Sequence, residues 1–592
     1  MGPDYRSVDG WRLGTISMGV GAVLWAPSLL DWRGTGYGDW QMFTETWEAA
    51  RIALMRHGEF PLWNPNWCGG ITLWGNPETQ IFYPLFYLAL LVGTTAAFKL
   101  YLVAHTAIGF SGMYVFAKRE YGLSFWSCVT AALTWTCSGT FVRDGGGGHV
   151  TLLMFYWAPW IVLSFRRACE DLRFAALTAL LLGLVALGGG TYPFPYLLLL
   201  LAFDGLVQLR GAPKPWNVVR AGILTGSVAL LMAAVRIIPS LVTLRDFPRH
   251  YDQSTESLSL KEYAAAFVTR DAPEHWAASH FGWWEYDAFV GWIALGLVAV
   301  GIVSAWRTQA PRKHLILGAL LFSSFAVGYV HPLAPWSLLS KFPVFSQLRV
   351  PSRFLVWTIF YLALLAAMGL AAISNTLDGL LRTSRHRLPK TAPTILVMSL
   401  ALATSLEMLS ANIPKGAGAG RAPPLLNAPP HPRFHYIRVP DYWYVFANFP
   451  QENVGTNGCY SEYRWPVAEG LWMGDVPQAR VVAGEGRVTR WHRTANHATL
   501  DVTMQTSGTI VLNHNFARGW TGHHGAHVFN HNGQLAVALP RGKQRITVSY
   551  RPADLPWAIG LSLVGFGAGL LIATRQREPS GSKPKKRDHV SS

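Results

Sequence analysis

Residues 353–374 read RFLVWTIFYLALLAAMGLAAIS. One arginine is followed by an uncharged apolar run of about 20 residues, the length that crosses a bilayer as a helix. Comparable runs recur near 13–30, 97–117, 124–142, 151–166, 174–188, 194–209, 219–237, 288–306, 314–330, 393–411 and 556–574. The composition agrees. Of 592 residues, 51% are hydrophobic and only 14% charged, where a soluble chain carries about 25% charged residues. The expected fold is mainly α: a polytopic transmembrane bundle of about twelve spans.

The formal net charge of +17 sits in short clusters at the ends of the apolar runs. Such placement sets orientation in a membrane, and no basic-and-aromatic stripe suited to nucleic acid is present. With the N-terminus cytoplasmic, the inward clusters are Lys118-Arg119, Arg166-Arg167, Arg307 with Arg312-Lys313, then Arg382, Arg385, Arg387 and Lys390. The basic tail Lys583, Lys585, Lys586 and Arg587 then also falls inside, so both termini are predicted cytoplasmic. Segment 81–94 is too short to span and reads as a re-entrant or interfacial helix; counting it as a span would turn several basic clusters outward. The stretch from Leu13 to Leu30 lacks a convincing cleavage site and reads as a first span rather than a signal peptide.

This arrangement leaves outward loops at 31–80, 143–150, 238–287 and 331–352, within a transmembrane core of residues 1–411. A larger outward insert, 412–555, opens with a linker from Pro414 to Pro432. It continues into period-two stretches such as Ala498 to Met504 and Gln544 to Tyr550, the pattern of an antiparallel β-sandwich. Residues 556–592 hold the last span and a polar tail. The five cysteines (Cys68, Cys128, Cys137, Cys169, Cys459) have no metal-site spacing, and Cys128 and Cys137 read as small core residues. His514, His523, His524, His527 and His531 read as surface or loop histidines and are assigned no metal.

The outward loops carry the candidates for chemistry. Asp39 follows the first span and precedes an amphipathic helix from about Gln41 to Arg56. It is either a general base or metal ligand, or a helix N-cap, with Thr44, Glu45 and Glu48 on a solvated face. Glu78 and Gln80 close the same loop. The second loop, Arg143-Asp144-Gly-Gly-Gly-Gly148-His149, offers Asp144 and His149 as metal ligands or for proton transfer, or is a flexible turn capped by Asp144. Arg236 lies near the outer end of an apolar span, where a buried cation needs an anion: a phosphate or a structural carboxylate. Glu285 and Tyr286 open one span. Arg349 and Arg353 open another at i and i+4, as a phosphate clamp or as interfacial anchors.

Taken in order, these motifs resemble the YfhO-like family of bacterial membrane proteins, relatives of the GT-C glycosyltransferases. The run Pro61-Leu-Trp-Asn-Pro65 through Gln80 to Phe82-Tyr-Pro84, Arg236-Ile-Ile-Pro239, and Arg349-Val-Pro-Ser-Arg353-Phe354 carry the likeness. So does the ending Asn515-Phe-Ala-Arg-Gly519-Trp520, Val537 to Gly542 and Val548 to Pro552. The resemblance implies a GT-C-like core in a bacterial inner membrane that uses a polyprenyl-phosphate-linked sugar outside the cytoplasm. The acceptor would be an envelope glycan, lipid or protein. Asp39 is implied as base or as ligand of a divalent cation, Mg or Mn; in the transferase reading the β-rich insert would bind acceptor glycan. Two departures stand out: Thr191-Tyr192-Pro193 replaces an expected His-Pro, and no second acidic residue adjoins Asp39. The alternative reading is non-enzymatic, a lipid-linked sugar flippase or an envelope-assembly scaffold.

Overall fold

The computed structural model describes residues 10–248, 257–273, 281–307, 312–383, 391–420, 430–438, 446–461, 463, 465–523 and 525–575. Arg385, Arg387, Lys390, His524 and the basic tail lie outside the described residues.

The sequence predicts twelve spans; the helices sort them more finely. Among the described residues, Thr94–Tyr121, Pro193–Gly211, Pro351–Leu380, Ala392–Gly416 and Leu555–Thr574 are long and apolar enough to cross a membrane, and a sixth span results if Pro215–Met232 and Ala234–Asp246 count as one. Phe174–Leu187, Trp292–Arg307 and Lys313–Ala326 are apolar but shorter. The remaining expected spans are interrupted. The first divides into Gly10–Leu24 and Ala26–Leu30, with a proline in the first turn of the second piece. Run 124–142 divides into Phe125–Thr136 and Gly139–Gly147 at Ser138, whose backbone is extended. Run 151–166 begins as a 3-10 helix, Val150–Trp157, before Ala158–Glu170. At Ala233 the chain bends by 73°. There the N–H of Val235 donates to the Ser562 hydroxyl on the last helix at 2.8 Å, which satisfies one backbone group freed by the break.

Burial orders the helices in the bundle. The stretch Pro351–Leu380 is almost wholly enclosed, whereas Leu555–Thr574 is mostly exposed, with Trp557, Leu570 and Leu571 uncovered. A helix apolar on all faces that the protein leaves uncovered is suited to lipid contact. Segment 81–94 forms a 3-10 turn, Pro84–Tyr87, and a short helix, Leu88–Val92. The second outward loop departs from the expected flexible turn. Residues 139–147 are helical, and a Cβ on Gly146 would lie 2.2 Å from the Lys415 carbonyl oxygen. Its glycines admit neighbouring protein backbone.

Twelve strands are present among the described residues. A short ribbon in the first outward loop pairs β1 (Trp63–Asn64) with β2 (Ile71–Thr72), and β3 (His435–Ile437) runs parallel to β4 (Val454–Thr456). The rest form two four-stranded sheets: β5 (Ala479–Ala483), β8 (Gly508–Asn515), β11 (Gln534–Leu539) and β10 (His527–His531) in one. The other holds β6 (Gly486–Arg493), β7 (His497–Met504), β12 (Gly542–Tyr550) and β9 (Trp520–Gly522). Alternating residues, among them Leu500, Val502, Ile510, Leu512, Val537 and Val548, are buried together, as the period-two pattern requires. His514 is a correction: it is buried among Trp63 and Trp520 rather than on the surface.

The first outward loop is built into this β region. Leu62, Trp63 and Trp74 share its core. The amide of Asn515 donates to the carbonyls of Cys68 and Gly70 at 2.6 and 3.0 Å, and Asn496 Oδ1 accepts from the N–H groups of Leu62 and Trp63 at 3.1 Å. A disulfide joins Cys68 to Cys459.

Candidate functional site

The helix Asp39–His57 starts after Gly38, whose φ of 61° lies in the left-handed region. No side chain caps it, so Asp39 is not an N-cap. The solvated face expected for Thr44, Glu45 and Glu48 is also a correction, since all three are buried. Glu45 takes two hydrogen bonds from the Asn64 amide at 3.0 and 2.8 Å, and burial pushes its carboxyl up to about 8. Glu48 is bonded to Arg51 at 2.7 Å. With its flanks thus packed, the helix presents Asp39 rigidly.

Asp39 points at the second outward segment. Its Oδ2 lies 2.9 Å from His149 Nε2, and the Tyr460 hydroxyl donates to its Oδ1. On the other edge of the imidazole, Nδ1 faces Asp144 Oδ1 at 3.4 Å. Gly148 explains the close approach: its φ is 94°, and a Cβ there would stand 2.4 Å from the Trp40 N–H nitrogen. The electrostatics follow. Burial alone would strip the proton from His149, but Asp39 and then Asp144 outweigh it and raise its pKa well above 6.5. Burial opposes ionisation of Asp39, and His149 and Tyr460 more than offset that, so its pKa is lowered. Asp144 is raised, chiefly by burial. The trio is therefore a carboxylate–imidazolium pair backed by a second carboxyl.

A second pair faces the first. Glu285 sits in the 3-10 turn Trp283–Glu285, and Arg353 in the turn Pro351–Phe354. The guanidinium binds Glu285 through two bonds, Nε to Oε2 at 2.9 Å and Nη2 to Oε1 at 2.7 Å. It also lies 4.2 Å over the Tyr192 ring. The turns are latched again where the Ser352 hydroxyl donates to the Glu285 carbonyl at 2.9 Å. Burial would raise Glu285, but Arg353 and then His149 outweigh it and hold it low. Val350, between the two arginines, has φ 59°. A β-branched residue there stores about 1–3 kcal/mol of strain. That kink points Arg349 into the cavity, where its guanidinium lies 5.1 Å over Phe281 and its N–H donates to the Tyr192 hydroxyl at 3.2 Å.

Between the pairs lies a cavity of about 320 Å³, within the roughly 300–1,000 Å³ of small-molecule sites. Asp39, His149, Glu78, Glu285, Arg349 and Arg353 all line it, together with apolar Met42, Phe43, Phe281 and Trp284. Asp144 stands behind His149. Three further sequence candidates do not line it. Gln80 is buried, taking a bond from Trp47 and donating to Tyr101 and Gly188. Tyr286 is buried behind the wall. Arg236 is buried and donates to the Trp74 carbonyl at 3.0 Å. Sequence reasoning missed Tyr460, Ser461 and Tyr192, which do line it. Cys459 was the available signal for Tyr460: two cysteines in outward segments are a plausible pair.

The expected divalent cation does not fit this donor set. Asp39 and Asp144 address opposite nitrogens of one imidazole, so their oxygens diverge, whereas a metal needs donors that converge. Among the described residues no group of three His, Cys, Asp or Glu side chains has metal-holding geometry.

No protein-family model and no curated protein sequence matches the chain. Among solved structures it is similar to the arabinofuranosyltransferase AftD from Mycobacteria, at 16% identity and a TM-score of 0.46, over 69% of this chain and 27% of that one. It is also similar to the archaeal oligosaccharyltransferase AglB from Archaeoglobus fulgidus, solved with an inhibitory peptide and a dolichol-phosphate, at 10% identity and a TM-score of 0.43. That likeness covers 76% of this chain and 65% of AglB, so the chain spans less than two thirds of either structure.

Proposed function

We propose that this chain is a membrane glycosyltransferase that moves a sugar from a polyprenyl-phosphate carrier to an envelope acceptor on the extracytoplasmic side of a bacterial inner membrane. The observation that carries the reading is that one cavity is lined both by Asp39, its pKa lowered and its carboxylate held by two donors, and by the cation Arg349. A carboxylate has about four lone-pair positions, so Asp39 retains capacity to accept a proton while bound to His149 and Tyr460. In the proposed step the acceptor hydroxyl gives its proton to Asp39, and its oxygen bonds to the anomeric carbon. The bond from that carbon to the phosphate oxygen breaks on the opposite face. Its electron pair leaves with the phosphate, and Arg349 stabilises the charge that grows there. Arg353 and Glu285 neutralise each other and build the wall that holds Arg349. Phe281, Trp284, Met42 and Phe43 offer an apolar surface to a sugar ring or the first isoprene units.

The disulfide supports the sidedness, because such bonds persist in oxidising compartments. The YfhO-like resemblance and the twelve-span topology with both ends cytoplasmic belong to the same proposal. The test supplies the purified chain with a panel of polyprenyl-phosphate-linked sugars together with an envelope-glycan acceptor fraction and measures release of the lipid phosphate. Release with none of them would favour the flippase or scaffold reading.

A further inference from the structure

A second, larger cavity of about 1,210 Å³ lies between the ends of several helices. Helix Pro193–Gly211 links the two sites. Tyr192 at its start lines the Asp39 cavity, and Arg210 near its end lines the second. Nineteen residues at about 1.5 Å each span about 28 Å, close to the hydrocarbon thickness of a bilayer, about 30 Å. The second cavity therefore sits at the opposite membrane face.

Its lining divides by polarity. Arg210, Lys214, Arg312 and Lys313 contribute a basic rim. Its two carboxylates are already engaged: Glu120 binds Arg166 at 3.1 Å and Arg167 at 2.8 Å, and Glu170 binds Arg167 at 3.3 Å. Among the described residues no carboxylate lies within ion-pair distance of the four rim cations. Beside the rim the wall is apolar, with Leu206 63% and Leu317 51% exposed. A basic rim at headgroup depth above an uncovered apolar wall matches an amphiphile with an anionic head.

We propose that this cavity binds an anionic phospholipid of the leaflet opposite the Asp39 site, its phosphate among Arg210, Lys214, Arg312 and Lys313 and an acyl chain along Leu206 and Leu317. A free anion would satisfy the rim and leave the apolar wall uncovered, so the lipid fits the site better.

The test places the purified full chain in nanodiscs of phosphatidylcholine and titrates phosphatidylglycerol, reading occupancy by native mass spectrometry. Phosphatidylglycerol should bind at least about tenfold more tightly than phosphatidylcholine, and added salt should weaken it. The double variant Arg210→Glu/Lys214→Glu should lose the preference, and Arg210→Gln/Lys214→Gln should lose most of it while staying monodisperse. Arg487→Glu, exposed on the β region, should keep it. Equal binding of the two lipids, full preference in the monodisperse Gln variant, or complete displacement by inorganic phosphate would each overturn the proposal.

Discussion

Arg349 and Arg353 reach one cavity but carry different loads, and a lysine at each position separates them. Arg353 spends its fork on Glu285 at 2.9 and 2.7 Å and stacks on Tyr192 at 4.2 Å. Lysine is a point charge and keeps only one of the two bonds. Losing one charge-assisted bond costs about 1.5–3 kcal/mol and weakening the stacked contact about 0.5–1 kcal/mol. Arg353→Lys should therefore destabilise the protein by about 2–4 kcal/mol. Arg353→Met, which strands a buried Glu285, should cost about 3–5 kcal/mol. The losses should shrink in a Glu285→Gln background, because the partner's charge is already gone. Arg349→Lys should act instead on the donor: one charge-assisted bond to the phosphate is worth about 1.5–3 kcal/mol, or about 10- to 150-fold in the donor KM. Denaturant unfolding in detergent followed by tryptophan fluorescence reads the first effect, and steady-state transfer reads the second. A fully stable Arg353→Lys with a raised donor KM would refute this division and return both arginines to a shared clamp.

Three further outcomes follow from the same geometry. Because the His149 pKa is raised, its contribution to stability is fully present below 6.5 and lost as pH rises through the folded value; Asp144→Asn should move that alkaline limb toward 6.5, and an unmoved limb in a pH–Tm profile would remove Asp144 from the trio. Reduction of Cys68–Cys459 should destabilise the protein by about 2–5 kcal/mol and slow transfer by releasing Tyr460, whereas the Cys68→Ser variant should not respond to reductant. A reporter active only outside the cytoplasm should be active when fused after Ala419 and silent after Lys586; matching signals at both sites would mean an odd error in the span count.

How far the sequence foretold this structure depended on the range of the interaction. Asp39, His149, Arg349 and Arg353 were legible because each stands at the outer end of an apolar run, where charge is costly without a use. Tyr460 was not, since it reaches Asp39 across 421 positions, carried there by the disulfide and by long-range hydrogen bonds such as Thr456 N–H to the Asn66 carbonyl and the Gln451 amide to Glu48. The breaks at Trp25, Cys137–Ser138 and Ala233 were invisible because hydropathy averages over a window and does not register one or two non-helical residues. Glu45 and Glu48 read as solvent-facing because their helix looks amphipathic; tertiary cover from Asn64 and Gln451 overrides that pattern. Arg236 did find an oxygen, the Trp74 carbonyl.

The central claim is that Asp39 takes the proton of the acceptor, and Asp39→Asn tests it most directly. Asparagine keeps the size and can still bond Tyr460, but it cannot accept a proton at neutral pH. With a polyprenyl-phosphate-linked sugar that the wild type turns over, the folded variant should transfer about 10²- to 10⁴-fold more slowly, with donor binding retained. Transfer at the wild-type rate by a well-folded Asp39→Asn protein would contradict the account.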